Sequence, residues 1–293
     1  MPGRSEDAGG IAALREPAPT LPFMNGRPMR SMALDEAILV RRLQLALDRA
    51  SSATTKTWWS RYLKGAIEFR GVGLPQIRSV LADWRSDNGV DVRPAADQFA
   101  LALRLFEEPM AEDKLAGVLY LQEYLQGEVP WRESLSRYGS LFERGLIADW
   151  NTCDWFCVRV LGPVIAANGR GCASAVAKWS TSPHLWKARA SVVGFVPVIE
   201  VLDHHPIVLR ACAVLIRRDE RFAKTAVGWI LRDLSKHDPR SVTEFLNENL
   251  VYFSTESVRN ALKYSPEAIR RKFLEHMKAA QQQQAADGAL RRR

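Results

Sequence analysis

Trp150 and Asp154 stand four residues apart in the stretch LIADWNTCDWFCVRVLGP at 146–163. On a helix that spacing puts an indole and a carboxylate on one face, one turn from each other. A flat aromatic surface beside a lone anion suits a flat, cationic ligand. The same pair also suits a packed helix end, with the indole capping it and the carboxylate satisfied locally. Two more indoles extend the pattern: Trp186 and Trp229 follow at intervals of 36 and 43 residues, each with an arginine three positions on, Arg189 and Arg232. Indoles and guanidiniums on one face can hold phosphates and offer flat rings to a sugar or a base. Against this, Trp186 reads more readily as a core residue. Gly228 and the polar side of WILRDLSK turn Trp229 towards solvent.

These residues need elements to carry them, and the punctuation of the chain is helical throughout. Ile38, Leu39, Leu43 and Leu47 recur at helical spacing from a start near Leu34. A second helix is expected over TWWSRYLKGAIEF, stopped by Gly71-Val72-Gly73-Leu74-Pro75. Twelve more are expected at 75–86, 94–107, 110–126, 131–144, 149–167, 171–180, 183–202, 206–217, 219–236, 239–250, 255–263 and 266–283. Many of the joints carry a proline, among them Pro94, Pro109, Pro130, Pro183, Pro206, Pro239 and Pro266, a residue tolerated at a helix start because the first amides have no intrahelical acceptor. No run of alternating β-branched residues interrupts the series, so the class is all-α. Self-similarity at about 40 residues predicts a curved α-solenoid of HEAT-like repeats with a concave basic face. LWKARASVVGF, AVGWILRDLSK and SVRNALKYS illustrate the repeat. Residues 1–31, rich in Pro, Gly, Ala and Arg, are expected to be a disordered leader, 32–280 a single repeat domain, and 281–293 a disordered basic tail.

Composition narrows the functions. The net charge is +8, and residues 1–145 hold 19 basic and 19 acidic side chains against 22 and 14 in residues 146–293. A polyanion would therefore be held in the second half. The four cysteines form no CxxC pair and the five histidines are not spaced with them as zinc ligands, so buried reduced thiols are expected. Neither a phosphate-cradling Gly-rich loop nor an HExxH pair occurs, and no metal or cofactor is expected. The Glu107-Glu108 and Glu112-Asp113 pairs fall at helix beginnings and read as solvated caps. With no apolar run of about eighteen residues, a membrane span is not expected.

The motifs YLKGAIEFRGV at 62–72, WNTCD at 150–154, LWKARA at 185–190 and AVGWILRDLSK at 226–236 come in one order with one set of separations. In that arrangement the chain resembles the DNA alkylation repair glycosylases of the AlkD type, built from HEAT-like repeats, over roughly residues 35–275. The resemblance implies catalysis by Asp154 with Trp150 beside it, and DNA contacts from Arg189, Trp229, Lys187, Arg232 and Tyr62. It differs from active members in Asn151, where an acidic residue often follows the first tryptophan, and in the apolar WFCVRVLGP. The family also includes relatives without detectable glycosylase activity. The implied partner is duplex DNA carrying alkylated bases, met by a monomer, cytoplasmic and nucleoid-associated in a bacterium or nuclear in a eukaryote. A non-catalytic HEAT-like DNA-binding relative or a protein-interaction scaffold is the alternative.

An alkylated purine is already a good leaving group, so the implied chemistry concerns the sugar. A carboxylate aimed at C1′ would stabilise the developing oxocarbenium charge. Indoles packed on the deoxyribose would exclude water, and an arginine would clamp a neighbouring phosphate. The resemblance implies recognition through the backbone of a distorted duplex, without a pocket for a flipped base.

Overall fold

A computed structural model describes residues 23–24 and 27–290, with side-chain environments for 35–287. The described fold is all-α. Its helices are α1 (Met29–Arg49), α2 (Ala53–Leu63), α3 (Leu74–Asp87), α4 (Ala95–Arg104), α5 (Ala111–Tyr124), α6 (Trp131–Glu143) and α7 (Trp150–Phe156). They continue as α8 (Gly162–Ala177), α9 (Leu185–Val193), α10 (His205–Leu215), α11 (Arg221–Leu234), α12 (Pro239–Asn249), α13 (Thr255–Ala261) and α14 (Glu267–Leu290). The extended exceptions among the described residues are a two-residue antiparallel pairing of Phe23–Met24 with Arg27–Pro28 and a bridge between Glu68 and Met110.

The helices form rows. From α1 onwards each odd-numbered helix packs on the next odd one, through α3, α5, α7, α9 and α11 to α13, while α6, α8 and α10 pack in a second series. This is the arrangement of a helical repeat protein, in which each unit buries its apolar stripe against its neighbours. Leu81, Leu105, Leu119, Phe156, Val192, Ile230 and Val258 are fully buried along it and belong to one continuous core. Gly228 marks the closest approach in the odd row. A Cβ placed there would sit 2.7 Å from the Ser257 carbonyl oxygen, so only glycine lets α11 and α13 meet at that spacing. It is buried contact rather than solvent exposure that explains this glycine.

Several expectations are corrected. The second helix ends at Leu63 and not at Gly71, because Lys64 turns into the left-handed region at φ 50° and Gly65 follows at φ 77°. Residues 69–72 form a loop instead, with Gly71 at φ 104°, and Glu112 holds it. Its fully buried carboxylate accepts the backbone N–H groups of Arg70, Gly71 and Val72 at 3.0, 2.8 and 3.0 Å. Asp113, equally buried, meets Arg70 at 2.9 Å, and Arg70 reaches on to Asp48 at 2.8 Å. This pair at the start of α5 therefore clamps a loop and is not a solvated cap. At the other end, α14 continues as helix to Leu290 where a frayed tail was expected from 281. Residues 291–293, and 1–22 with 25–26 of the expected leader, lie outside the described residues.

Candidate active site

The front of α7 is set by its start and its back. Asp149 precedes it in extended conformation and its side chain accepts the Thr152 N–H at 2.8 Å, which satisfies one of the free amides of the first turn. Trp150 is thereby the first helical residue and Asp154 lies one turn on. Phe156, two residues beyond Asp154, points the other way. It packs edge-on to Tyr138, Phe106 and Phe142 at 5.1, 5.8 and 5.8 Å. That aromatic knot fixes the rotation of α7 and turns Asp154 outwards. The helix does not end at 156. A π-helical turn, Cys157–Leu161, follows, in which the Gly162 N–H donates to the Cys157 carbonyl, and α8 continues to a kink at Gly169 with φ 59° and ψ −151°. Pro163 explains the wide turn, since it has no N–H to return and its ring would strike a carbonyl one turn back.

Asp154 is gripped by Arg189 from α9. Arg189 Nε donates to Oδ1 and Nη2 to Oδ2, both at 2.8 Å, a two-pronged match of planar groups. Nη1 donates to the Phe222 carbonyl at 2.8 Å and to Thr225 Oγ1 at 3.4 Å on α11. Four donor directions of the guanidinium are thus aimed at protein acceptors, and its side chain is only 6 % exposed against 16 % for Asp154. Burial pushes the Asp154 carboxyl above the ordinary carboxylate value, against the pull of Arg189. Burial opposes charge on Arg189 too, but its hydrogen bonds and charge contact with Asp154 outweigh that and hold it firmly protonated. The first role of Arg189 is therefore to fix the plane of the carboxylate.

Trp229 completes the group on the α11 side. The Arg189 guanidinium carbon lies 6.0 Å from its ring centroid and that of Arg232 at 5.9 Å. The indole N–H donates to Asp233 Oδ2 at 2.9 Å, and Arg232 and Lys236 also bond Asp233. On the α2 side, Tyr62 stands edge-on to Trp150 with centroids 5.4 Å apart. Tyr62 with Trp150, and Asp154 with Arg189, Trp229 and Arg232, thus form two contacting groups from four helices, related along α7 by the one-turn spacing of Trp150 and Asp154.

Lys187 is not part of it. It lies in a groove with Trp131 and Trp179, ion-paired to Glu143 and 5.3 Å from the Trp179 ring. Two positions along α9 turn a side chain by more than half a revolution, which separates Lys187 from Arg189. Trp186 packs on Phe222 at 5.0 Å, on the packed side of the helix. Sequence reasoning missed Asp233, Trp58 and Phe222. Asp233 follows Trp229 at the same four-residue spacing that drew attention to Asp154, and Trp58 precedes Tyr62 by four, so both could have been found. Phe222 acts through its backbone carbonyl and carried no signal.

Cys153, Cys157, Cys172 and Cys212 are all buried and unpaired, and burial raises the Cys153 and Cys212 thiols, with Cys172 pushed up to about 11. Among the described residues no group of three or more His, Cys, Asp or Glu side chains is placed to hold a metal ion. Nor is any described helix long and apolar enough to cross a membrane.

Fold and site together define a helical repeat protein in which an arginine of α9 grips a carboxylate of α7. Comparison with known proteins gives this class its family: the sequence matches the DNA alkylation repair enzyme family over residues 43–265, and the chain belongs to it. Among solved structures it is similar in fold to a predicted DNA alkylation repair enzyme from Enterococcus faecalis. The TM-score is 0.64 at 17% sequence identity, over 74% of this chain and 97% of that one. No curated protein matches the sequence.

Proposed function

We propose that this protein is a glycosylase that releases N3- or N7-alkylated purines from duplex DNA, acting as a monomer and without metal or cofactor. The observation that carries the reading is the Asp154 carboxylate, locked in plane by Arg189 and reached only through a small exposed edge. Breaking the glycosidic bond of a cationic base moves positive charge onto the sugar. A carboxylate whose orientation is already fixed stabilises that charge without reorganising as the reaction proceeds. Trp150 and Trp229, both half-buried, would face the deoxyribose and keep water from the charge except where it must attack. Arg232 and the exposed Lys236 would hold the strand on the face carried by the odd-numbered row of helices.

The bidentate pair also favours a second reading, in which Asp154 and Arg189 are a structural tie in a non-catalytic DNA-binding relative. One assay separates them. Alkylated duplex DNA is incubated with the parent protein and with Asp154→Asn, in the presence and absence of a chelator, and free base is scored. Metal-independent release by the parent, lost in a folded Asp154→Asn that still binds lesion DNA, is the expected result. Binding without release by the parent establishes the structural tie, and loss of activity in the chelator, restored by metal, overturns the mechanism.

A further inference from the structure

The exposed aromatic surface of α2 is not used by this chemistry. Trp58 is 57% exposed and Tyr62 52%, yet both rings are packed on aromatic neighbours. Their rings stack at 5.3 Å with planes 13° apart, and Trp58 meets Trp59 edge-on at 4.8 Å and 82°. Trp59 in turn stacks on buried Phe69 at 5.0 Å and 5°, which ties the group to the core. An indole left in water normally moves freely or packs away. Here it stays in the open, stacked on Tyr62, which in turn meets Trp150 edge-on at the start of α7. Around it the helix bears Lys56 and Arg61, exposed, with exposed Lys64 just beyond, and no carboxylate on α2 itself.

From this juxtaposition we infer that Trp58 is a stacking platform for a nucleobase displaced from the duplex beside the lesion. The inference rests on the glycosylase reading and extends it to a class of DNA structure. The open face of a stacked ring is matched by another flat π-face, and cations without anions match the phosphates on either side of it. In an intact duplex both faces of every base are covered by neighbours. Only a base out of the stack has a face to offer, and on Trp58 it would lie next to the sugar that Asp154 addresses.

The test uses the full chain and two fluorescently labelled duplexes, identical except for one unpaired adenine. Affinities are measured by anisotropy for the parent, Trp58→Ala and Trp58→Phe, with excision of alkylated base assayed separately. The parent is expected to prefer the bulged duplex by about tenfold, near 1.4 kcal/mol. Trp58→Ala should lose that preference while keeping its affinity for the paired duplex, and Trp58→Phe should keep most of it. Because Trp58 is exposed, both variants are expected to fold. A parent that excises nothing but shows this Trp58-dependent preference removes the glycosylase reading and keeps the platform. Equal losses on the two duplexes, or none on either, overturn the platform even where excision is robust.

Discussion

The chain contains two Trp-x-x-x-Asp pairs in its odd-numbered row, Trp150 with Asp154 on α7 and Trp229 with Asp233 on α11. Their spacing is identical and their circumstances are opposite. Asp154 looks across to another helix and is held by one guanidinium, with burial raising its pKa. Asp233 is served by Trp229 and Arg232 of its own helix and by Lys236 just past its end. Burial pushes it up as well, but the bonds from Arg232 and Lys236 prevail and hold it below the ordinary value. The difference teaches that the motif fixes only which side chains share a face. Who donates to the carboxylate is what separates the reagent proposed at Asp154 from the anchor at Asp233. Asp233 anchors Trp229 and neutralises nearby cations, whereas Asp154 is a largely buried carboxylate tied to one guanidinium.

The largest effect that would sharpen this contrast is on stability. Removing Arg189 leaves Asp154 as an unpaired carboxylate and frees the Phe222 carbonyl, so Arg189→Ala should cost about 3 kcal/mol in urea unfolding, as for other broken buried pairs. Arg232→Ala should cost less than about 1 kcal/mol, because its side chain is 23% exposed and Asp233 retains two other donors. Similar losses in the two variants would erase the distinction between the sites.

Catalysis should divide the pairs almost as sharply. Asp154→Asn is expected to reduce release of alkylated base by about 10²-fold, near 2.7 kcal/mol, as for other single electrostatic groups in active sites. Asp233→Asn removes only an anchor for Trp229, and a loss of about tenfold or less is expected. Scoring free base from the same alkylated duplex compares them directly. A reversed order would assign the chemistry to α11.

Much of this was legible beforehand. Proline at helix starts and apolar residues at helical spacing give the all-α class, and the repeat interval of Trp150, Trp186 and Trp229 matches the successive packing of α7, α9 and α11, although Trp186 itself turns to Phe222. What could not be read is how far each charge is buried. Glu112 and Asp113 carry a helix-start pattern, yet the loop at 70–72 comes back over them and turns them into an internal clamp. Lys187 and Arg189 look equivalent in LWKARA, and helix rotation alone sends them to different surfaces. Likewise Lys64 is an unremarkable residue for a helix interior, and its left-handed backbone ends α2 early because the return loop demands it.

The junction behind Trp229 offers a smaller test. Gly228→Ala places a methyl 2.7 Å from the Ser257 backbone carbonyl oxygen, so the backbone of α13 must shift. A destabilisation of about 1.5 kcal/mol is expected, typical of overpacking, with a few-fold loss of excision as Trp229 moves and little change in the Asp154 to Arg189 tie. An unaltered midpoint in thermal unfolding would show that the close approach of α11 and α13 is not as tight as described.

The smallest effect concerns pH, and it distinguishes the two aspartates by sign. Asp154 has a folded pKa raised above the ordinary 3.8, so the stability it contributes is fully present below that value and is lost as pH rises through its folded pKa. Asp233 has a folded pKa lowered below 3.8, so its contribution is present above that value and is lost as pH falls through its folded pKa. Arg189 remains protonated throughout and cannot supply either slope. Unfolding free energy measured in urea from about pH 3 to about pH 7 should therefore change in opposite ways in the two asparagine variants. Asp233→Asn flattens the acid limb, where the parent loses stability as its anchor takes up a proton. Asp154→Asn instead leaves the acid limb steep and removes the decline on the rising side above the ordinary carboxylate value. Identical changes in both profiles would mean that the cross-helix and within-helix carboxylates feel the same environment, and the division between reagent and anchor would fail at its electrostatic root.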